Sequence, residues 1–279
     1  MSSWMRKWGI MLTVAIVAGC GAKPAPPPPV EEKPPARTTG NESTTSALKP
    51  TLPSLPDLTK MEPAVANLLR ELHQTAVSQP ESAKAWGRLG MGLDVHGEYS
   101  AAIPCYRRAE ALDPRDFRWS YFLAWVMSLA DVEPATTLAQ YQLAIAKNPG
   151  YATAHARLGA LLSGNGQFQA AVNALRKALA LDPTLIQVHR DLGQALLALG
   201  NAEAAVTHLE VAQREMPDDA PTLAALAQAY RRLGRVDEAR AVQVSVRAEA
   251  PRDVLPDSAR AEVTAMGVSS FVRIFRAQE

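Results

Sequence analysis

AKAWGRLGMGLDVHGEYSAAIPCYRRAEALDP, residues 83–114, holds two apolar-patterned segments that meet at Gly97. Trp86, Leu89, Gly90 and Leu93 fall three or four residues apart, as one face of a helix requires, and Ala102, Tyr106 and Ala109 do the same for a second helix. Gly97 stands where a helix C-cap calls for positive φ, and Pro114 stands where the second helix must stop. The unit is therefore predicted to be an antiparallel helix hairpin.

The unit recurs. Pro149, Pro183, Pro217 and Pro251 are spaced 34 residues apart, and Pro114 precedes Pro149 by 35. A fixed period of this size marks a solenoid of stacked hairpins. Leu158–Gly159, Leu192–Gly193 and Leu226–Ala227 repeat Leu89–Gly90, while Gly166, Gly200 and Gly234 repeat Gly97. Ala171, Ala205 and Ala239 repeat Ala102, and Ala144, Ala178 and Ala212 repeat Ala109. This pattern resembles the tetratricopeptide repeat (TPR): an aromatic, Leu-Gly, a turn Gly, a small residue, a large one, Ala, then Pro. The resemblance covers 83–251 in five units, approximately 83–116, 117–151, 152–185, 186–219 and 220–253. It implies an all-α fold, a right-handed TPR α-solenoid of about five helix hairpins.

The departures are local. In the second unit Leu123–Ala124 replaces Leu-Gly, and Asp131-Val132-Glu133-Pro134 carries the extra residue. The fifth has Gln243 and Val246 where a large apolar residue and Ala are usual, so its packing is expected to be weaker.

Before the repeats, 1–19 read as a lipoprotein signal peptide. Arg6 and Lys7 form a small basic region, and an apolar run from Gly9 to Ala18 is about half of what a bilayer-spanning helix needs. Val17-Ala18-Gly19-Cys20 resembles a bacterial lipobox, which implies cleavage before Cys20 and lipidation of that cysteine; the other reading is an ordinary signal peptide with Cys20 incidental. Buried acyl chains contribute about 0.8 kcal/mol per CH₂, enough in a triacylated terminus for stable attachment. In the lipoprotein rule Asp after the lipidated Cys retains the chain at the inner membrane. Gly21 follows here, so the expectation is the periplasmic face of the outer membrane.

Residues 20–60 are rich in proline and poor in aliphatic pairs, so the segment cannot bury enough apolar area to offset the entropy of ordering it. It is expected to be a disordered Pro-rich tether extending about 3.1 Å per residue; the alternative is a proline-rich ligand for another domain. Within 61–82, Val65, Leu68, Leu69, Leu72, Ala76 and Val77 have helical spacing, as the second helix of a degenerate leading repeat would. Such a helix caps the amino end of a solenoid. In the tail, 252–279, Pro256 and Asp257 are able to open a helix reaching Met266, which Gly267 breaks. The tail either folds back on the fifth repeat as a cap or docks elsewhere.

The chemistry points to binding, not catalysis. A net charge of +1 favours neither nucleic acid nor an anionic membrane surface, and two cysteines, Cys20 and Cys105, build no disulfide framework. Cys105, among apolar neighbours, reads as inert. His155 and His189 occupy the place of Trp86 in adjacent units and read as flat rings packed between helices, while His73, His96 and His208 are scattered. No ligand set completes a zinc site, and no nucleophile, P-loop, H-E-x-x-H or dinucleotide motif occurs. His189-Arg190-Asp191-Leu192 mimics a kinase string inside a repeat helix, with no other kinase element. No enzyme activity and no cofactor are expected.

In the TPR family the first helices of successive repeats line a concave groove that holds a peptide or a partner helix. The resemblance implies as lining Lys84 and Met91, then Arg118, Tyr121 and Trp125, then Thr153, Ala156 and Ala160, then Gln187, Arg190 and Gln194, then Gln228 and Arg231. A ligand would approach closely at the small third unit and offer acidic or amide groups to Arg118, Arg190 and Arg231. Alternatively the arginines are solvated and the aromatics are packing. Gly87 and Met91 stand where a carboxylate clamp needs Lys and Asn, so a C-terminal acidic tail is not the expected ligand. The reading is a lipid-anchored scaffold that binds a protein partner in envelope assembly or secretion. The alternative is an accessory subunit that holds a peptidoglycan-active or redox enzyme at the membrane.

Overall fold

The computed structural model describes residues 54–244 and 257–266. The lipobox with Cys20, most of the tether, Val246, Phe271 and Phe275 lie outside the described residues. A 3₁₀ turn at Leu58–Lys60 precedes α1 (Pro63–Ser78), the leading helix. Five hairpins follow: α2 (Ala83–Val95) with α3 (Tyr99–Leu112), α4 (Phe117–Leu129) with α5 (Pro134–Lys147), α6 (Ala152–Gly164) with α7 (Phe168–Leu181), α8 (Ile186–Ala198) with α9 (Ala202–Glu215), and α10 (Ala220–Arg232) with α11 (Val236–Val244). No strand occurs among the described residues.

The turns follow from local chemistry. Gly97, Gly166, Gly200 and Gly234 all take positive φ, between 72° and 85°. This conformation costs an L side chain but not glycine. After each, an amide reaches back five residues to a helix carbonyl, as Glu98 does to Leu93 and Gln167 to Leu162, both at 2.9 Å. In the second hairpin, where the extra residue lies, the positive φ falls on Asp131 at 52°. Helix starts are capped by Ser82, Asp116, Asn201 and Asp219, whose side-chain oxygens accept amide hydrogens from the first turn. Asp113 and Asp182 accept the amides of Arg115 and Thr184, the local turn expected of them.

The Leu-Gly pairs set how closely each hairpin closes. A Cβ on Gly90 would lie 2.8 Å from the Tyr106 ring, one on Gly159 2.6 Å from Leu175 Cγ, and one on Gly193 2.5 Å from Leu209 Cγ. Each glycine thus receives the large side chain sixteen residues later, and Ala171 and Ala205 beside these contacts are fully buried. α1 packs in the same way, with Leu72 Cδ1 2.7 Å from where a Cβ on Gly92 would stand.

Two apolar clusters result. The first, from α1 to the start of α6, is built on Trp86, Tyr106, Trp119, Tyr121, Phe122 and Tyr141. The second, from α6 to α11, is built almost wholly of Ala, Leu and Val. Trp86 Nε1 donates to the Pro80 carbonyl at 2.9 Å, and His155 Nε2 donates to the Pro149 carbonyl at 3.0 Å. The histidine therefore holds the tryptophan's place, as the repeat phase implies. His208 is not isolated, contrary to expectation: its Nδ1 lies 3.1 Å from His189 Nδ1 across the α8–α9 hairpin. Burial pushes the Cys105 thiol up to about 12, so the thiolate is suppressed.

The candidate partner-binding face

The first helix of each hairpin, α2, α4, α6, α8 and α10, contributes to one face, and the structure divides that face in two. Over α2, α4 and the start of α6 it is occupied by residues 257–266. Asp257 opens this segment: its Oδ1 accepts the Arg260 amide at 3.0 Å, and residues 261–266 continue as helix. The tail therefore does not cap the fifth repeat over these residues. It docks on the first two repeats and on Tyr151, the N-cap residue of α6.

The contacts combine polar pairs with apolar packing of Ala259, Val263 and Met266. Tyr151 Oη donates to Asp257 Oδ1 at 2.5 Å, Tyr121 Oη donates to Asp257 Oδ2, and the Ala259 amide donates to Tyr151 Oη at 2.8 Å. Arg260 grips Asp94 of α2 with two nitrogens, at 2.6 and 3.1 Å. Tyr106 Oη donates to the same carboxylate at 3.2 Å. The Trp125 ring lies between two guanidinium groups, Arg157 at 4.0 Å and Arg260 at 4.4 Å from its centroid. Val263 is fully buried and joins the apolar cluster that contains Met91 and Trp86.

Electrostatics favour this arrangement. Burial works against the Arg260 charge, but the hydrogen bonds and the charge of Asp94 outweigh it and hold the guanidinium above its usual range. Burial, reinforced by the Asp257 carboxylate, pushes the Tyr121 phenol well above its usual value and that of Tyr151 up to about 12. Both hydroxyls therefore stay protonated as donors.

The residues expected to line the groove fall into three groups. Met91 and Tyr121 are 1% and 0% exposed, so they do not line an open surface. Met91 sits in the core, a member of the same apolar cluster as Trp86 and Val263, and Tyr121 is packed among Phe122, Tyr141 and Tyr151. Arg118 and Trp125 lie beside the docked segment; Arg118 pairs with Asp116 at 2.7 Å and with Glu262 at 3.6 Å. The rest lie toward the carboxyl end or at the surface. Arg190 pairs with Asp191 at 3.1 Å and Asp219 at 3.5 Å, while Lys84, Gln194, Gln228 and Arg231 are exposed.

This second half of the face is open. A cleft of about 560 Å³ is lined by Ala156, Arg157, Ala160, Gln187, Arg190 and Gln194. Its neighbour, of about 550 Å³, runs between Gln194 and Gln228 and is bordered by Arg232. Burial raises the Asp191 carboxyl in the first cleft, an effect that Arg190 opposes. Among the described residues no cluster of His, Cys, Asp or Glu is arranged to hold a metal ion. Sequence reasoning missed Asp94, Tyr151 and Arg157. Asp94 carried a signal, an acidic residue on the buried side of an apolar-patterned helix.

Two family profiles described as tetratricopeptide repeat match the chain, one at 162–221 and 196–263 and the other at 88–127. No curated protein matches the sequence. Among solved structures, that of MamA protein has a TM-score of 0.56 at 20% identity, covering 63% of this chain and 100% of that one. MamA 41-end from Desulfovibrio magneticus RS-1 has a TM-score of 0.51 at 25% identity, covering 56% and 88%. YrrB, titled a TPR protein with an unusual peptide-binding site, has a TM-score of 0.56 at 14% identity, covering 73% and 99%. Profile matches, the 34-residue period and the stacked hairpins agree: the chain belongs to the tetratricopeptide repeat family.

Proposed function

We propose that this protein is a scaffold that captures a protein or peptide partner on the face formed by its first helices, held at a bacterial envelope membrane through lipid on Cys20. The observation that carries the reading is that the face already holds a peptide: residues 257–266 lie across α2, α4 and the start of α6 with backbone, carboxylate and guanidinium all engaged. The adjoining clefts offer what an extended ligand needs, namely small Ala156 and Ala160 for close approach, with Arg190, Gln187 and Gln194 as hydrogen-bonding groups. The likeness of fold to YrrB, whose title names a peptide-binding site, supports the same use of the fold here. The lipobox-like Val17-Ala18-Gly19-Cys20 and the following Gly21 support an outer-membrane anchor facing the periplasm, and a role in envelope assembly or secretion fits that location. The test compares Arg190→Glu with the wild type in partner capture and thermal melting. The variant also loses the Asp191 and Asp219 pairs and is expected to melt somewhat lower, so capture is compared below both melting transitions, where it is expected to weaken; retention of the same partners there would move the site away from this face.

A further inference from the structure

We infer that the α2–α4–α6 end of this face recognises a helical peptide carrying Asp, an arginine three residues later and a β-branched apolar residue three beyond that, and that residues 257–266 are a resident copy which such a partner displaces. The inference rests on the reading of this face as a peptide-binding surface.

Three subsites define the ligand. The first is a pair of hydroxyl donors, Tyr121 and Tyr151, aimed at one carboxylate. Because that carboxylate also accepts the amide three residues on, at 3.0 Å, it must sit at a helix N-cap, where Asp is favoured and Glu reaches poorly. The second is Asp94, whose side chain is 1% exposed. Among the described residues its counter-ion comes from Arg260 and from no repeat helix. A carboxylate buried without a cation is costly, so any segment that covers Asp94 must bring one, as Arg260 does. Two-point contact together with stacking on Trp125 selects arginine over lysine. The third is the apolar seat of Val263, which is fully buried while Ala261, Glu262, Thr264 and Ala265 are exposed.

Ala259, Val263 and Met266 form a short apolar stripe against the cluster, while Asp257 and Arg260 add charged and hydroxyl contacts that fix which sequence fits. Exchange also ties the two halves of the face together, because Arg157 stacks on Trp125 and lines the open cleft as well.

The probe is a fluorescein-labelled synthetic peptide of residues 255–267, LPDSARAEVTAMG, titrated into the full chain by anisotropy. In the wild type the resident segment competes. In the full-length double variant Asp257→Ala, Arg260→Ala the seat is free, and the peptide is expected to bind at least tenfold more tightly. A peptide with Arg260→Ala is expected to lose that gain. Should the double variant fail to fold, Asp257→Asn keeps the Arg260–Asp94 pair and is expected to tighten peptide binding about threefold. Equal affinity of the wild type and the folded variant, or indifference to the arginine in the peptide, overturns the inference. Loss of partner capture in Arg190→Glu with no peptide binding at the vacated seat would sink the inference and leave the proposed function standing. Peptide binding without capture of any partner would do the reverse.

Discussion

Arg260 and Asp94 stand 166 residues apart in the chain and form a two-point ion pair at 2.6 and 3.1 Å. Breaking such a pair in a closed site would strand a buried charge, at about 3–5 kcal/mol. Here the segment bearing Arg260 is able to lift away and let both groups regain water, so the loss is capped by what docking contributes. Asp94→Ala is therefore expected to cost what docking contributes plus about 1–3 kcal/mol for the buried Tyr106 hydroxyl that loses its acceptor. Tryptic cleavage after Arg260 is expected to accelerate at least tenfold, as followed by mass spectrometry of the fragments. Unchanged cleavage would mean that the pair does not hold the segment.

Close hairpin contact gives a second prediction. In Gly193→Ala the new Cβ meets Leu209 Cγ at 2.5 Å with the Ala205 carbonyl at 3.2 Å, so overpacking should cost roughly 1–3 kcal/mol. Ala205→Leu is expected to cost a similar amount. Gly164→Ala, with nothing within 4 Å and no positive φ, should instead stabilise by about 0.5–1 kcal/mol through helix propensity. Urea denaturation of the three variants reads these signs directly.

The hairpins were legible because the 34-residue spacing repeats the same demands of turn, close approach and stop. The tail was legible only locally: Asp257 opens it and residues 261–266 are helical, as the sequence implies, while the expected break at Gly267 lies outside the described residues, and nothing periodic tells where the segment lands. Contacts such as Arg260 to Asp94 join single residues from distant segments, and a single sequence records no trace of that pairing. The same cause explains Met91 and Tyr121. Their repeat phase marked them as groove lining, and the apolar cluster that takes in Met91 and the aromatics and Asp257 that close over Tyr121 are invisible to phase. His189 and His208 meet across the hairpin whose register Gly193 and Leu209 set.

That histidine pair sets a pH dependence. Burial holds both rings below their ordinary value, and for His208 the neighbouring His189 and Arg176 add to the effect. The unfolded chain takes up these protons near pH 6.5 while the folded chain resists. Stability is therefore full above about pH 7.5 and falls as the pH drops through 6.5. His208→Gln, which keeps a hydrogen-bonding group without the second charge, is expected to lose less melting temperature than the wild type between pH 7.5 and 5.5. His96, also held low by burial, leaves a residual slope in both.

The anchor has its own test. Cys20→Ala is expected to abolish detergent-phase partitioning of the chain and metabolic labelling with palmitate. A variant that still partitions and labels would remove lipid at Cys20 from the proposal.

The most direct measurement is site-specific photo-crosslinking in the cell. A photoreactive residue replaces Gln194, exposed between the two clefts of the first-helix face, or Lys177, exposed on second helix α7. A discrete protein adduct is expected from position 194, lost when Arg190→Glu is added, and none of the same mass from position 177. Equal adducts from both positions, or an adduct at 194 that survives Arg190→Glu, would contradict partner capture on this face.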